Sequence, residues 1–218
     1  MSDFKTHVRG GLVTGITLSG AQFFFFPGHL DKIQLAAVCL MAVIGGVLPD
    51  IDSNTGKPLA ILSALLSLIA PAFMLKFMVE YYALTLEFLV CYFAVAYFVI
   101  NYVVNKLIKK FTVHRGILHS IPFVLLCGIC TFFLFVPSGK YMAISAGIAI
   151  FAGGITHLIL DEFHSLSWPS GLLPQSNKYT GTALKFKASS LASTLFVYGI
   201  LIAIVSYVMK FKDVIAFN

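Results

Sequence analysis

The residues of this chain with the most chemical capacity are histidines and aspartates at short, repeated spacings. His7 stands alone near the N-terminus. Asp50 and Asp52 fall in Pro-Asp-Ile-Asp, His114 and His119 in His-Arg-Gly-Ile-Leu-His-Ser, and His157 and Asp161 in Thr-His-Leu-Ile-Leu-Asp. His157 and Asp161 are i and i+4, which puts both on one face of a helix. Asp50 and Asp52 are i and i+2, so an extended loop aims both carboxylates the same way. His114 and His119 are five apart and can converge if the first lies in an entry loop and the second in the first turn of a helix. Imidazole with carboxylate and no thiolate suits Zn²⁺ foremost, with Mn²⁺ or Fe as alternatives. The expected metal ligands are therefore His7, Asp50, Asp52, His114, His119, His157 and Asp161. Seven donors exceed one tetrahedral shell, so two ions are expected. Such a site acidifies water and clamps both oxygens of an in-line phosphoryl displacement. Arg115, Asp52 and His119 are the catalytic candidates, Arg115 because guanidinium matches phosphate oxygens. Ser120 is a supporting partner for these groups. His164, seven residues beyond His157, would extend the same stripe if that helix continued.

What must position these residues is a set of membrane helices. Of 218 residues 59% are hydrophobic and 11% charged, against roughly 25% charged in soluble domains. Five runs, Leu59–Val79, Phe88–Asn105, Ile117–Val136, Met142–Leu160 and Ser190–Met209, reach the roughly 20 apolar residues that cross a bilayer. Among them only Lys76 is charged. Two shorter runs, Leu12–Phe26 and Leu35–Leu48, precede them. The expected fold is all-α: a polytopic membrane helical bundle of seven spans, or of five spans plus a short N-terminal helical hairpin. Residues 1–218 are expected to form a single integral-membrane domain. No small-residue cleavage site follows the first run, so it reads as a retained helix and not as a signal peptide.

Threading the seven runs alternately through a bilayer brings His7, Asp50, Asp52, His114, His119, His157 and Asp161 to the same membrane face. That face also collects Lys5, Arg9, Lys57, Lys106, Lys109, Lys110, Arg115, Lys178, Lys185 and Lys187, while Lys32, Lys76, Lys140, Lys210 and Lys212 fall opposite. The bias orients the site toward the cytoplasm of a bacterial inner membrane. His29 lies on the opposite side. Residues 162–188, with Trp168, Tyr179, Lys185 and Lys187, read as a cytoplasmic interfacial loop, either a lid or a passive connector. The net charge of +6 carries no basic stripe with interleaved aromatics, so no nucleic-acid partner is expected. Cys127 and Cys130 form a C-x-x-C inside an apolar run and read as small packing residues.

In this order the motifs resemble the YdjM-like family of predicted membrane-bound metal-dependent hydrolases. The resemblance covers about residues 5–175 and rests on His7, Leu-Pro-Asp50-Ile-Asp52, His114-Arg115-Gly-Ile-Leu-His119-Ser120 and His157-Leu-Ile-Leu-Asp161. Two positions depart from the family pattern. Ser53 stands where members often carry His, and His164 stands where Thr is common. The resemblance implies hydrolase activity. A more distant likeness in His and Asp usage, to zinc-dependent phospholipase C and single-strand nucleases, implies phosphoester chemistry. The expected function is hydrolysis of a phosphoester or related ester of a lipid-like substrate by metal-activated water, with membrane lipids as surroundings and substrate. The competing readings are a metal-ion transporter or channel, and a structural membrane subunit whose helices a metal locks together. A transport path needs polar groups near the midplane, and the runs carry few.

Overall fold

The computed structural model describes residues 3–52, 57–79, 84–106, 118–167, 175–176, 184–187 and 191–210. Among these, seven long helices coincide with the seven apolar runs. They are α1 (Phe4–Phe25), α2 (Lys32–Val47), α3 (Lys57–Met78), α4 (Leu86–Phe98), α5 (Ile121–Phe135), α6 (Lys140–Ser165) and α7 (Leu191–Lys210). The fold is the all-α membrane bundle expected. By length and apolar composition the segments Lys32–Ile51, Leu86–Val103, Ile121–Ser138 and Lys140–Ser165 can each cross a bilayer. A two-residue antiparallel pairing of β1 (Leu166–Ser167) with β2 (Gln175–Ser176) follows α6.

The boundaries follow local chemistry. Asp3 caps α1 by accepting the Thr6 amide. Asp31 and Gln34 form a reciprocal capping box at α2, and Ser120 caps α5 by accepting the Phe123 amide, with Pro122 in the first turn. Each satisfies amides that the first turn leaves without an intrahelical partner. Two expectations shift. His7 lies inside α1, not before it, because the helix begins at Phe4. The expected loop 162–188 begins later, because α6 runs on to Ser165.

The chain divides into two compact units, residues 1–49 with 115–218, and residues 50–114. In the first, α1 is antiparallel to α2: Ser19 Oγ donates to the Leu35 carbonyl near one end, and Gly46 approaches His7 at the other. α1 is also antiparallel to α6, through Gln22 Nε2 to Ser145 Oγ at 2.6 Å and the Thr14–Thr156 hydroxyl pair at 2.8 Å. Such side-chain bonds hold helices together where lipid offers no polar competitor. α2 and α6 pack through Val38, Ala42, Met142, Ala146 and Ala149, the buried core. Their backbones meet so closely that a methyl group added at Gly153 would overlap the Ala42 carbonyl, and one at Gly45 the Ile150 carbonyl. Small residues permit this approach. Cys127 and Cys130, on α5, are free thiols.

In the second unit, α3 continues through Pro71. Tyr92 of α4 donates its hydroxyl to the Pro71 carbonyl at 3.0 Å. α4 passes into a π-helical stretch, Val99–Val104, and beyond it Asn105 Nδ2 donates to Ser63 Oγ at 3.1 Å.

Candidate metal centre

The antiparallel arrangement of α1 with α2 and α6 brings four of the expected ligands to one end of the first unit. His7 comes from the second turn of α1, His119 from the residues entering α5, and His157 and Asp161 from successive turns of α6. All four are essentially inaccessible, with His119, His157 and Asp161 at 0% exposure and His7 at 1%. Asp161 is the hub. Its Oδ1 lies 3.4 Å from His7 Nε2, and its Oδ2 lies 3.8 Å from His119 Nε2 and 4.0 Å from His157 Nε2. The rings pack as well as converge: His7 stacks on His157 at a centroid distance of 3.6 Å and 15° between planes, and His119 meets His157 edge-on at 5.4 Å.

These distances suit a cation. Two of the three exceed hydrogen-bond length. Donors held about 2.1 Å from one ion at tetrahedral angles lie about 3.4 Å apart, close to the 3.4 to 4.0 Å that separate the Asp161 oxygens from the three imidazole nitrogens. His119, His157 and Asp161 each offer one ligand atom, and all three atoms lie within 4.8 Å of one another. A carboxylate taken wholly out of water needs a compensating charge. Around Asp161 that charge comes either from a protonated imidazole or from an ion the imidazoles share, and the cluster is an ion-pair network as well as a potential metal centre.

The tautomer of His157 favours ligation. Its Nδ1 lies 2.7 Å from the Gly46 carbonyl. A carbonyl only accepts, so Nδ1 carries the proton, and in the neutral ring Nε2 presents a lone pair toward Asp161. The sequence does not announce this contact; the paired glycines Gly45-Gly46 closing the second apolar run were its only trace. Neither did the sequence reveal the Thr14–Thr156 bond, which ties α1 to α6 below the cluster.

Asp50 opens the second unit, buried within the 3-10 turn Leu48–Asp52. The backbone of Asp52 belongs to that turn, but its side chain lies outside the described residues, as do His114 and Arg115 and, in the following segment, Trp168 and Tyr179. His164 does lie on the continued helix, yet it is exposed, with Nδ1 2.9 Å from the Leu160 carbonyl of its own helix. His164 lies on the exposed side of its turn, while Ser165 beside it is buried, so the stripe of buried donors stops at Asp161. His29 is exposed beyond the far end of α1, packed edge-on against Tyr141 at 4.1 Å.

A family model described as YdjM inner membrane protein matches residues 1–216. No curated protein and no solved structure matches the chain.

Proposed function

This chain belongs to the YdjM inner membrane protein family, and from that membership together with the buried cluster we propose that it is a metal-dependent hydrolase. The substrate is a phosphoester or related ester of a lipid-like molecule, met at the cytoplasmic face of the membrane. The observation that carries the proposal is the convergence of three imidazole nitrogens on the Asp161 carboxylate at 3.4 to 4.0 Å, inside a membrane helix bundle. Ionisable groups at such depth are costly to keep and mark functional sites.

In this reading His7, His119, His157 and Asp161 hold a divalent cation, Zn²⁺ foremost and Mn²⁺ or Fe as alternatives. When bound, the ion acidifies water and withdraws charge from a phosphoryl oxygen. The chain's own residues set the conditions. Asp161 supplies the negative charge of the donor set and so offsets part of the cation's. The Gly46 carbonyl fixes the His157 ring so that Nε2 faces inward. Stacking of His7 on His157 holds both rings against rotation. Ser120 caps α5 and so fixes where His119 enters it. Arg115 is the proposed anion-binding group, and Asp50, Asp52 and His114 the proposed further donors should a second ion bind.

The test is turnover by the purified protein in lipid vesicles. Chelation should abolish release of the alcohol or phosphate product, and Zn²⁺ or Mn²⁺ should restore it. Undiminished turnover after chelation, or in both His119→Ala and Asp161→Ala, would overturn the proposal. One observation favours a second reading: the cluster joins α1, α5 and α6, as a structural ion locking the helices would. Under that reading metal removal loosens the bundle and no turnover is found with any ester.

A further inference from the structure

We propose that Pro49 is a positioning residue for the metal centre: by withholding an amide from the Gly46 carbonyl, it leaves that acceptor to His157 and so sets the tautomer of the ring. This role rests on the reading of the cluster as a metal centre for its consequence, that Nε2 is kept as the ligand atom, and on helix geometry alone for its cause.

α2 keeps its α-helical bonds as far as the Leu48 amide, which donates to the Ile44 carbonyl. The next amide in that register would come from residue 49 and reach Gly45. Proline has no N–H, and its ring would strike the carbonyl four residues back. The chain instead tightens into the 3-10 turn Leu48–Asp52. Bonds in such a turn run from a carbonyl to the amide three residues on. For Gly46 that amide is again the one residue 49 lacks, so the tighter register brings its carbonyl no donor.

Gly46 and Pro49 are both buried. A buried carbonyl needs a donor, and His157 Nδ1 stands 2.7 Å away on α6. The end of α2 is wedged where it lies. A methyl group added at Gly46 would meet the His7 carbonyl at 3.0 Å and Gly11 Cα at 3.2 Å, and one at Gly45 would overlap the Ile150 carbonyl. All these residues belong to the first unit. With the proton held at Nδ1, the neutral ring turns the lone pair of Nε2 toward Asp161, 4.0 Å away. An amide at residue 49 would compete for the same oxygen. It would draw the carbonyl along the helix axis, away from α6, and free the ring to carry its proton on Nε2, the tautomer that cannot ligate through that atom.

The experiment places two replacements at position 49 of the full chain. Pro49→Ala restores an amide, and in its ester counterpart lactate supplies the same methyl group without an N–H. Both lose the ring, so any change in packing is common to them and only the donor differs. The readout is the tautomer of His157 in metal-free protein in detergent, from nitrogen NMR of isotope-labelled histidine in alkaline buffer, with His157→Gln assigning the signal. The wild type should carry the proton on Nδ1. Pro49→Ala should lose most of that form and bind Zn²⁺ about 10- to 100-fold more weakly, and the ester should match wild type in both. The same tautomer in Pro49→Ala as in wild type, or its loss in the ester as well, would overturn the proposal. Because the ring is read without metal or turnover, a chain that binds no ion can still show the effect of Pro49. Conversely, chelator-sensitive turnover with an unchanged His157 ring in Pro49→Ala would defeat this inference alone.

Discussion

His7 Nε2 lies 3.4 Å from Asp161 Oδ1, joining the second turn of the first helix to the last turns of the sixth with both side chains buried. The same carboxylate faces His119 and His157 through its other oxygen. One aspartate thus organises imidazoles from α1, from the entry to α5 and from its own helix α6.

Replacing Asp161 by Asn keeps the volume and the capacity to accept a hydrogen bond but removes the charge. A neutral amide binds a divalent cation poorly beside neutral imidazoles. Metal affinity should fall by at least about 100-fold, a loss at or beyond the upper end of what removing an outer supporting contact costs, and turnover should fall with it. Competition against a chelating dye measures the first. Wild-type affinity in Asp161→Asn would show that the carboxylate is not a ligand.

Gly153→Val sets a branched side chain against the Ala42 carbonyl, where even a methyl group overlaps backbone. α6 must then withdraw from α2, and the Nδ1 contact of His157 with Gly46 lengthens. Overpacking of this kind costs about 1–3 kcal/mol, and loss of the ring-orienting bond about 10- to 100-fold in metal affinity. Thermal unfolding in detergent and metal titration should both register the change, whereas Gly20→Val, with open space around it, should alter neither.

Thr14 and Thr156 share a hydroxyl bond of 2.8 Å between α1 and α6. Interhelical bonds of this type in membranes contribute about 0.6 kcal/mol on average. A double-mutant cycle with Thr14→Val and Thr156→Val should return a coupling of that order, read from unfolding in mixed micelles. No coupling would mean that each hydroxyl spends its single proton on the carbonyl one turn back, which both have within reach, and not on the other hydroxyl.

Asp3 carries the pH dependence of the first turn of α1. The Thr6 hydroxyl and then the Thr6 amide hold its carboxyl below the ordinary value of 3.8. A depressed folded-state value means that the cap is whole at neutral pH and is lost as pH falls through it. Protection of the amides at residues 4–7, taken relative to the intrinsic exchange rate at each pH, should therefore be flat from pH 7 to 5 and fall only in stronger acid. Asp3→Ala should raise exchange at all pH values, and Asp3→Asn, which still accepts, should not. Since His7 follows directly on that turn, the Ala variant should also bind metal more weakly.

Much of this was legible in the sequence because hydropathy and helical spacing act together. Alternate threading of apolar runs puts His7, His119, His157 and Asp161 at one membrane face, and the i, i+4 spacing puts the last two on one helix face. The structure brings those four together. Less legible were contacts made by backbone. The carbonyl that orients His157 belongs to Gly46, a residue with no side chain to advertise it. His164 had the right period but not the right surroundings: spacing along a helix says which residues share a stripe, not which of them a neighbouring element covers. The start of α1 at Phe4 was likewise hidden, because Lys5, His7 and Arg9 interrupt the apolar run that a capping Asp3 carries into a helix.

Elemental analysis of the purified full-length chain tests the central claim most directly. Wild-type protein should carry at least one transition-metal ion per chain, zinc foremost, and His119→Ala and Asp161→Ala proteins that remain folded should carry almost none. Metal-free wild-type protein from metal-replete cells, or equal metal content in all three, would contradict the account and leave the buried cluster as an ion-pair network alone.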